Sequence, residues 1–194
     1  MLNKIINFTK LLNKFRSVER VVLVNEEERN ENDVEHSYYM AMLAWYIVNV
    51  NKLDLDINLV IKYALIHDFV EVYAGDTYIY SSDRAHIESK EKREKEAAEK
   101  LQKDFSEFED MHTLIEKYEK REDKESRFVY ALDKIQPMVN IYTDNGRSWK
   151  VNKVKLQMLV DHKKDKVVVS PEVKKYFEDL IELLKNEEKD LFNA

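Results

Sequence analysis

Residues Leu65 to Asp76 read LIHDFVEVYAGD. The run is apolar enough for the buried face of a helix, yet it carries His67, Asp68, Glu71 and Asp76. Buried charge is costly unless it is paired or bound to a metal. Upstream, Ile57, Val60, Ile61 and Ala64 recur at helical spacing, and His67, Asp68 and Glu71 continue the same stripe. This pattern predicts a helix from about Asp56 to Tyr73, capped by Asp56 and ended near Gly75. Its inward face carries polar groups that need a partner.

Working outward, the whole chain reads as helical. Gly and Pro number two each among 194 residues, against ordinary usage of about 7% and about 5%. Sheets and hairpins need such turn residues. Charged residues make up 36% of the chain, interspersed rather than blocked, and the net charge is -6. No basic stripe marks a nucleic-acid surface, so polymeric nucleic acid is not an expected partner. Without cysteine, a metal must be held by His and carboxylates. The N-terminal MLNKIINFTKLLNKF lacks the pattern of a signal peptide, and no stretch reaches the ~18 apolar residues of a membrane span. The expectation is a cytoplasmic protein with no membrane contact.

The chain divides into a helix over Leu2 to Phe15, an extended polar connection over Ser17 to Asp33, and a helix over Val34 to Asn51 with Asp33 as its cap. After the helix containing LIHDFVEVYAGD come a loop near Thr77 to Ser82 and the helix former ESKEKREKEAAEKLQKDF. The alternating charge of KEKREKE reads as a solvated helix surface without chemistry. EFEDMHTLIEKYEK forms another helix, and KESRFVYALDKIQPMVNIY a further one, interrupted at Pro137. Two more helices follow, about Lys150 to His162 and Pro171 to Leu191. No linker or repeat divides residues 1–194, so one domain is expected.

Two other helices repeat the anomaly. His36 begins a stripe with Met40, Leu43, Ile47 and Val50, and Asp133 shares a face with Val129 and Pro137 inside FVYALDKI. Taken singly, each has a plainer reading: a hydrogen-bonded core histidine, or an aspartate paired with Lys134 or Arg127. Together, two imidazoles and two carboxylates directed inward from three helices match a site for a divalent metal with open positions. His67 and Asp68 stand about 100° apart around a helix axis, so a shared ion must lie beside that helix.

The chain resembles the HD-domain metal-dependent phosphohydrolases, in particular the branch of 5′-deoxynucleotidases and HD domain-containing protein 2. RNENDVEHSYYMAMLA, ALIHDFVEVYAGD and FVYALDKIQP carry the resemblance, which spans about Lys14 to Tyr142. A bare His-Asp pair is a weak signal; HDxxExxxGD with an upstream EHS and a downstream LDK is a specific one. The resemblance implies an all-α, single-domain HD-type helical bundle, with the helices of 150–194 packed on the metal-site core. It implies one divalent ion (Mn, Co, Zn, Fe or Mg) on His36, His67, Asp68 and Asp133. It implies Glu71 and Asp76 as catalytic carboxylates, with Asp76 and Arg20 in substrate binding. Val21 stands where bacterial members of the branch often have Trp, and Arg16 competes with Arg20 for the phosphate contact. The implied activity is release of phosphate from (deoxy)nucleoside 5′-monophosphates by a metal-activated water, in a homodimer.

Three alternatives compete. A dinuclear HD enzyme, an oxygenase or cyclic-dinucleotide phosphodiesterase, would need further histidines, for which His86 and His112 are candidates. A hydrolase of guanosine tetraphosphate-type alarmones shares the HD pair. A non-enzymatic nucleotide-binding domain would keep the metal as structure.

Overall fold

The computed structural model describes residues 1–193 and confirms an all-α fold with one minor two-stranded sheet. The expected first helix is α1, Leu2–Phe15. The extended connection becomes an antiparallel hairpin of β1, Glu19–Leu23, and β2, Asn30–Asn32. Then come α2, Asp33–Val50; α3, Ile57–Ile66; α4, Glu71–Ala74; α5, Arg84–Glu88; α6, Lys90–Asp104; and α7, Glu109–Lys120. The chain continues through α8, Lys124–Thr143; α9, Arg147–Val151; α10, Leu156–Val167; α11, Pro171–Asn186; and α12, Glu188–Leu191. Among the described residues, no helix is long and apolar enough to cross a membrane.

Three expectations need correction. The cap of α2 is Asn32, not Asp33: the Asn32 side chain accepts from the N–H groups of Val34 and Glu35, and Glu35 reaches back to complete a capping box. Asp33 is released from capping and lies fully buried. The buried stripe of α2 is His36, Met40, Ala44 and Val48, while Val50 is exposed; small alanines, rather than Leu43 and Ile47, let neighbouring helices approach. Finally, α8 runs unbroken past Pro137.

The helix expected over Asp56 to Tyr73 is also divided. Asp56 caps it as expected, but α3 ends at Ile66 and the chain turns through His67–Val70 before α4. Tertiary packing explains the break. Phe69 and Val70 turn into a second apolar core with Leu11, Phe15, Leu101 and Met111. The Phe15 and Phe69 rings meet edge-on with centroids 5.0 Å apart. The turn thus sends two residues into that core and leaves His67 for the other side.

The main core lies under α2, α3, α8, α10 and α11, with Met40, Tyr63, Phe128, Leu132, Leu159 and Leu184 at its centre. Polar ties set the register of α3 against α8. The Tyr63 hydroxyl donates to Asp123 at 2.6 Å, and the Asp56 backbone N–H donates to Glu125 at 2.9 Å. These bonds hold the end of α3 level with the middle of α8.

Candidate metal centre

The four polar residues of the three apolar stripes converge. One donor atom from each of His36, His67, Asp68 and Asp133 lies within 4.8 Å of the others. His36 Nε2 is 3.2 Å from Asp133 Oδ1 and 3.7 Å from Asp68 Oδ2. His67 Nε2 is 3.2 Å from Asp68 Oδ2 and 3.7 Å from Asp133 Oδ1. Both histidines are buried.

The arrangement fits a divalent metal on its own chemistry. His67 Nδ1 lies 2.9 Å from the Ala64 carbonyl oxygen, which can only accept. That bond puts the ring proton on Nδ1 and leaves the Nε2 lone pair facing two carboxylates. Nε2 is buried without a hydrogen-bond partner. A lone pair among carboxylate oxygens demands a cation at their centre, either a proton or a metal ion. Burial alone would lower the pKa of His67, but Asp68 and Asp133 outweigh it and, with no metal bound, hold it at about 10, so Nε2 keeps a proton that a divalent ion would displace. Burial and Arg20 push His36 down to about 4. Asp133 is held well below the carboxylate range, its burial overcome by Lys134 and the two histidines. With the proton on His67 Nε2 displaced, two imidazole nitrogens and two carboxylates form a borderline-to-hard donor set for a first-row divalent ion.

A second group of carboxylates surrounds Arg20. Asp33, Asp68 and Glu71 bring oxygens together, but the guanidinium already serves Asp33 and Asp68. Arg20 Nη1 donates to Asp68 at 2.8 Å and to Asp33 at 3.4 Å, and Nε lies 3.6 Å from Glu31. The β-hairpin supplies this arginine and Glu31, and α2 supplies Asp33. Burial, only partly offset by Arg20, lifts Glu31 to about 7; burial followed by Asp68 lifts Asp33 to about 7. Arg16 is exposed and has no part in this cluster.

Beside the donors opens a cavity of about 450 Å³, a size suited to a small ligand. Arg20, Glu71, Asp76, Tyr78 and Tyr80 share its lining with His67, Asp68 and Asp133. Glu71 is buried with Oε2 unpartnered. Burial, then the charges of Asp68, Asp76 and Asp33, raise its pKa well above the usual range. Burial likewise raises Asp76. Gly75 turns the chain toward Asp76 with φ 75°, a conformation that costs glycine little.

His86 and His112 stay outside the metal group. The His86 ring is 3.2 Å from Arg93 Nη2, and His112 Nε2 donates to the Phe105 carbonyl at 2.8 Å. Sequence reasoning missed several contributors to the cavity. The KEKREKE segment is solvated at Lys92 and Glu96, but Lys90 lines the cavity 3.9 Å from Glu71. Arg93 donates to the Ala74 carbonyl at 2.5 Å and the Thr77 hydroxyl at 2.6 Å, pinning the loop that bears Asp76. The missed signal is position: Arg93, Ala97 and Leu101 stand four apart, so Arg93 extends a buried apolar row.

An all-α bundle with two histidines and two aspartates, gathered from α2, α8 and the turn after α3, defines the class of a helical metal protein. A family model of the HD domain matches residues 12–174, and the chain belongs to the HD domain family. It is similar over 100% of its length, and 98% of the other chain, to a predicted metal-dependent phosphohydrolase from Magnetospirillum magnetotacticum MS-1, with a TM-score of 0.81 and 28% identity. A conserved hypothetical protein from Pyrococcus furiosus shares the fold alone, with a TM-score of 0.65 and 20% identity over 93% of this chain and 99% of that one. No curated protein matches the chain.

Proposed function

We propose that this protein is a metal-dependent phosphomonoesterase that releases phosphate from (deoxy)nucleoside 5′-monophosphates. The observation that carries the proposal is the convergence of His67, Asp68 and Asp133 on the wall of a cavity that also presents Glu71, with His36 buried behind them within donor distance. The likeness to the Magnetospirillum protein and the specific HDxxExxxGD run support the same reaction class.

His36, His67, Asp68 and Asp133 would hold the ion. A bound divalent ion supplies Lewis acidity, making water nucleophilic near neutral pH and offsetting phosphoryl charge. The protein's own groups position and exchange protons. Water adds to phosphorus in line and gives up a proton, the bond from phosphorus to the ester oxygen breaks, and that oxygen takes up a proton, so the net proton count is unchanged. Burial among other carboxylates raises the proton affinity of Glu71, which suits it to act as the general acid. Asp76, held in its loop by Arg93, orients the attacking water or the sugar. Arg20 is engaged by three carboxylates. We assign it to fixing Asp68 rather than to direct phosphate contact. Phosphoryl transfer depends mainly on such positioning and charge placement.

The homodimer implied by the resemblance has a plausible surface in α2, where Tyr38, Met42, Trp45 and Tyr46 are exposed.

A screen of phosphate release from ribo- and deoxyribonucleoside 5′-monophosphates with Mn, Co, Zn, Fe and Mg tests the proposal. The expected result is metal-dependent turnover that EDTA stops. Absence of turnover with every metal, in protein that binds nucleotide, would favour the non-enzymatic alternative.

A further inference from the structure

The mechanism above uses the end of the cavity near Glu71 and leaves another set of cavity residues without a task. Helix α10 sends His162, Lys163 and Lys166 into the cavity lining. Lys163 occupies a core position: Leu159, Lys163 and Val167 follow one another at four-residue spacing and all three are buried. Its Nζ donates to the Lys134 carbonyl at 2.6 Å. Lys166 Nζ donates to His162 Nε2 at 2.6 Å. The Tyr80 ring packs edge-on against His162 at 5.8 Å, and its hydroxyl is buried without a partner.

These cations lack counter-ions. Lys134 pairs with Asp133 at 2.5 Å and exposed Lys164 lies 3.9 Å from Asp161. Among the described residues, neither Lys163 nor Lys166 has a carboxylate within ion-pair distance. Enclosing ammonium groups without an anion is unfavourable. The strain is visible in their protonation: burial, then Lys134, bring Lys163 down to about 7 and Lys166 to about 8. The charge also runs in a definite order. Lys134 touches the metal-site residue Asp133, Lys163 touches the backbone of Lys134, and Lys166 stands one helical turn beyond Lys163. Lys134 is thus engaged at the metal donors, and the α10 cations remain unmatched.

We propose that Lys163, Lys166 and His162 form a second anion subsite, which receives an additional phosphate on the substrate's sugar. The inference rests on the nucleotide reading of the cavity. A phosphomonoesterase cleaves a terminal phosphate, so the second phosphate belongs elsewhere on the same molecule. The substrate class is then a nucleoside 3′,5′-bisphosphate, with its 5′-phosphate at the metal donors. The Tyr80 hydroxyl supplies a further donor to the second phosphate.

The test compares deoxynucleoside 3′,5′-bisphosphates with the matching 5′-monophosphates on the full-length, Mn-loaded protein. Two or more charge-assisted hydrogen bonds predict a KM lower by about tenfold or more for the bisphosphate. Lys166→Gln should remove most of that advantage, and Lys166→Arg should restore it. Equal KM values for the two substrates would overturn the subsite. So would a Lys166→Gln protein that loses affinity equally for both, since the lysines would then serve the scissile phosphate. If neither substrate is turned over, the esterase reading fails and calorimetric titration decides the subsite separately. Bisphosphate binding about tenfold tighter than monophosphate, lost in Lys166→Gln, sustains it; equal or absent binding overturns it.

Discussion

His67 Nε2 lies 3.2 Å from Oδ2 of its sequence neighbour Asp68, although no hydrogen bond joins them. The ring proton is committed to the Ala64 carbonyl on the other side. Adjacent residues on an unbroken helix diverge, so the close approach depends on the turn after Ile66. That turn exists because Phe69 and Val70 are drawn into the second core. Packing far from the cavity therefore sets the ligand geometry. A divalent ion that binds only the folded protein should raise its melting temperature, and EDTA should reverse the rise. At a free ion concentration 100 times Kd the gain is about 2.7 kcal/mol, readable by scanning calorimetry.

Arg20 is the only cation within ion-pair distance of Glu31, Asp33 and Asp68 together among the described residues. Arg20→Ala would leave the buried Glu31 and Asp33 and the half-buried Asp68 without it. The expected cost is about 3 kcal/mol or more in urea unfolding, accompanied by weaker metal binding as Asp68 loses its orientation. Arg20→Lys should recover only part of this, because one ammonium cannot reproduce the planar fork.

Glu71→Gln keeps the shape of the side chain and removes its exchangeable acid. Metal content should be unchanged while kcat falls roughly 100-fold or more. The loss should shrink for substrates with acidic leaving groups such as nitrophenyl phosphate, which need no proton. An equal loss for both kinds of ester would remove Glu71 from proton donation.

Lys163 makes stability depend on pH. Its folded pKa of about 7 lies below its ordinary value of 10.5. Below pH 7 both folded and unfolded chains hold the proton, and the penalty of burying the charge is complete. Between pH 7 and 10.5 the unfolded chain holds more protons, so stability contributed by this residue rises with pH. Lys163→Met should therefore gain most relative to the wild type near pH 6, with the gain declining toward pH 10. Urea midpoints at the two pH values, in phosphate-free buffer, measure it.

The fold class was legible because scarce glycine and proline leave little except helices, and the metal group was legible because His36, His67 and Asp133 interrupt apolar stripes. Other features depended on tertiary contacts. Asp33 read as a cap because local chemistry permits it; Asn32 won through its capping box with Glu35. The break after Ile66 was hidden because Phe69 and Val70 suit a helix and a core equally. Lys163 was overlooked although it carries the same signal as His67, a polar residue on a buried row. The adjacent charges in DHKKDK made it look like ordinary surface.

Metal content per chain in the wild type and in Asp68→Ala, measured beside phosphate release, tests the central claim most directly. The four-residue centre predicts one divalent ion per wild-type chain. In Asp68→Ala, affinity should fall by more than the roughly 10–100-fold that loss of an outer hydrogen-bond partner costs, and phosphate release should vanish with the metal. A folded Asp68→Ala protein that retains its ion and its activity would contradict the account.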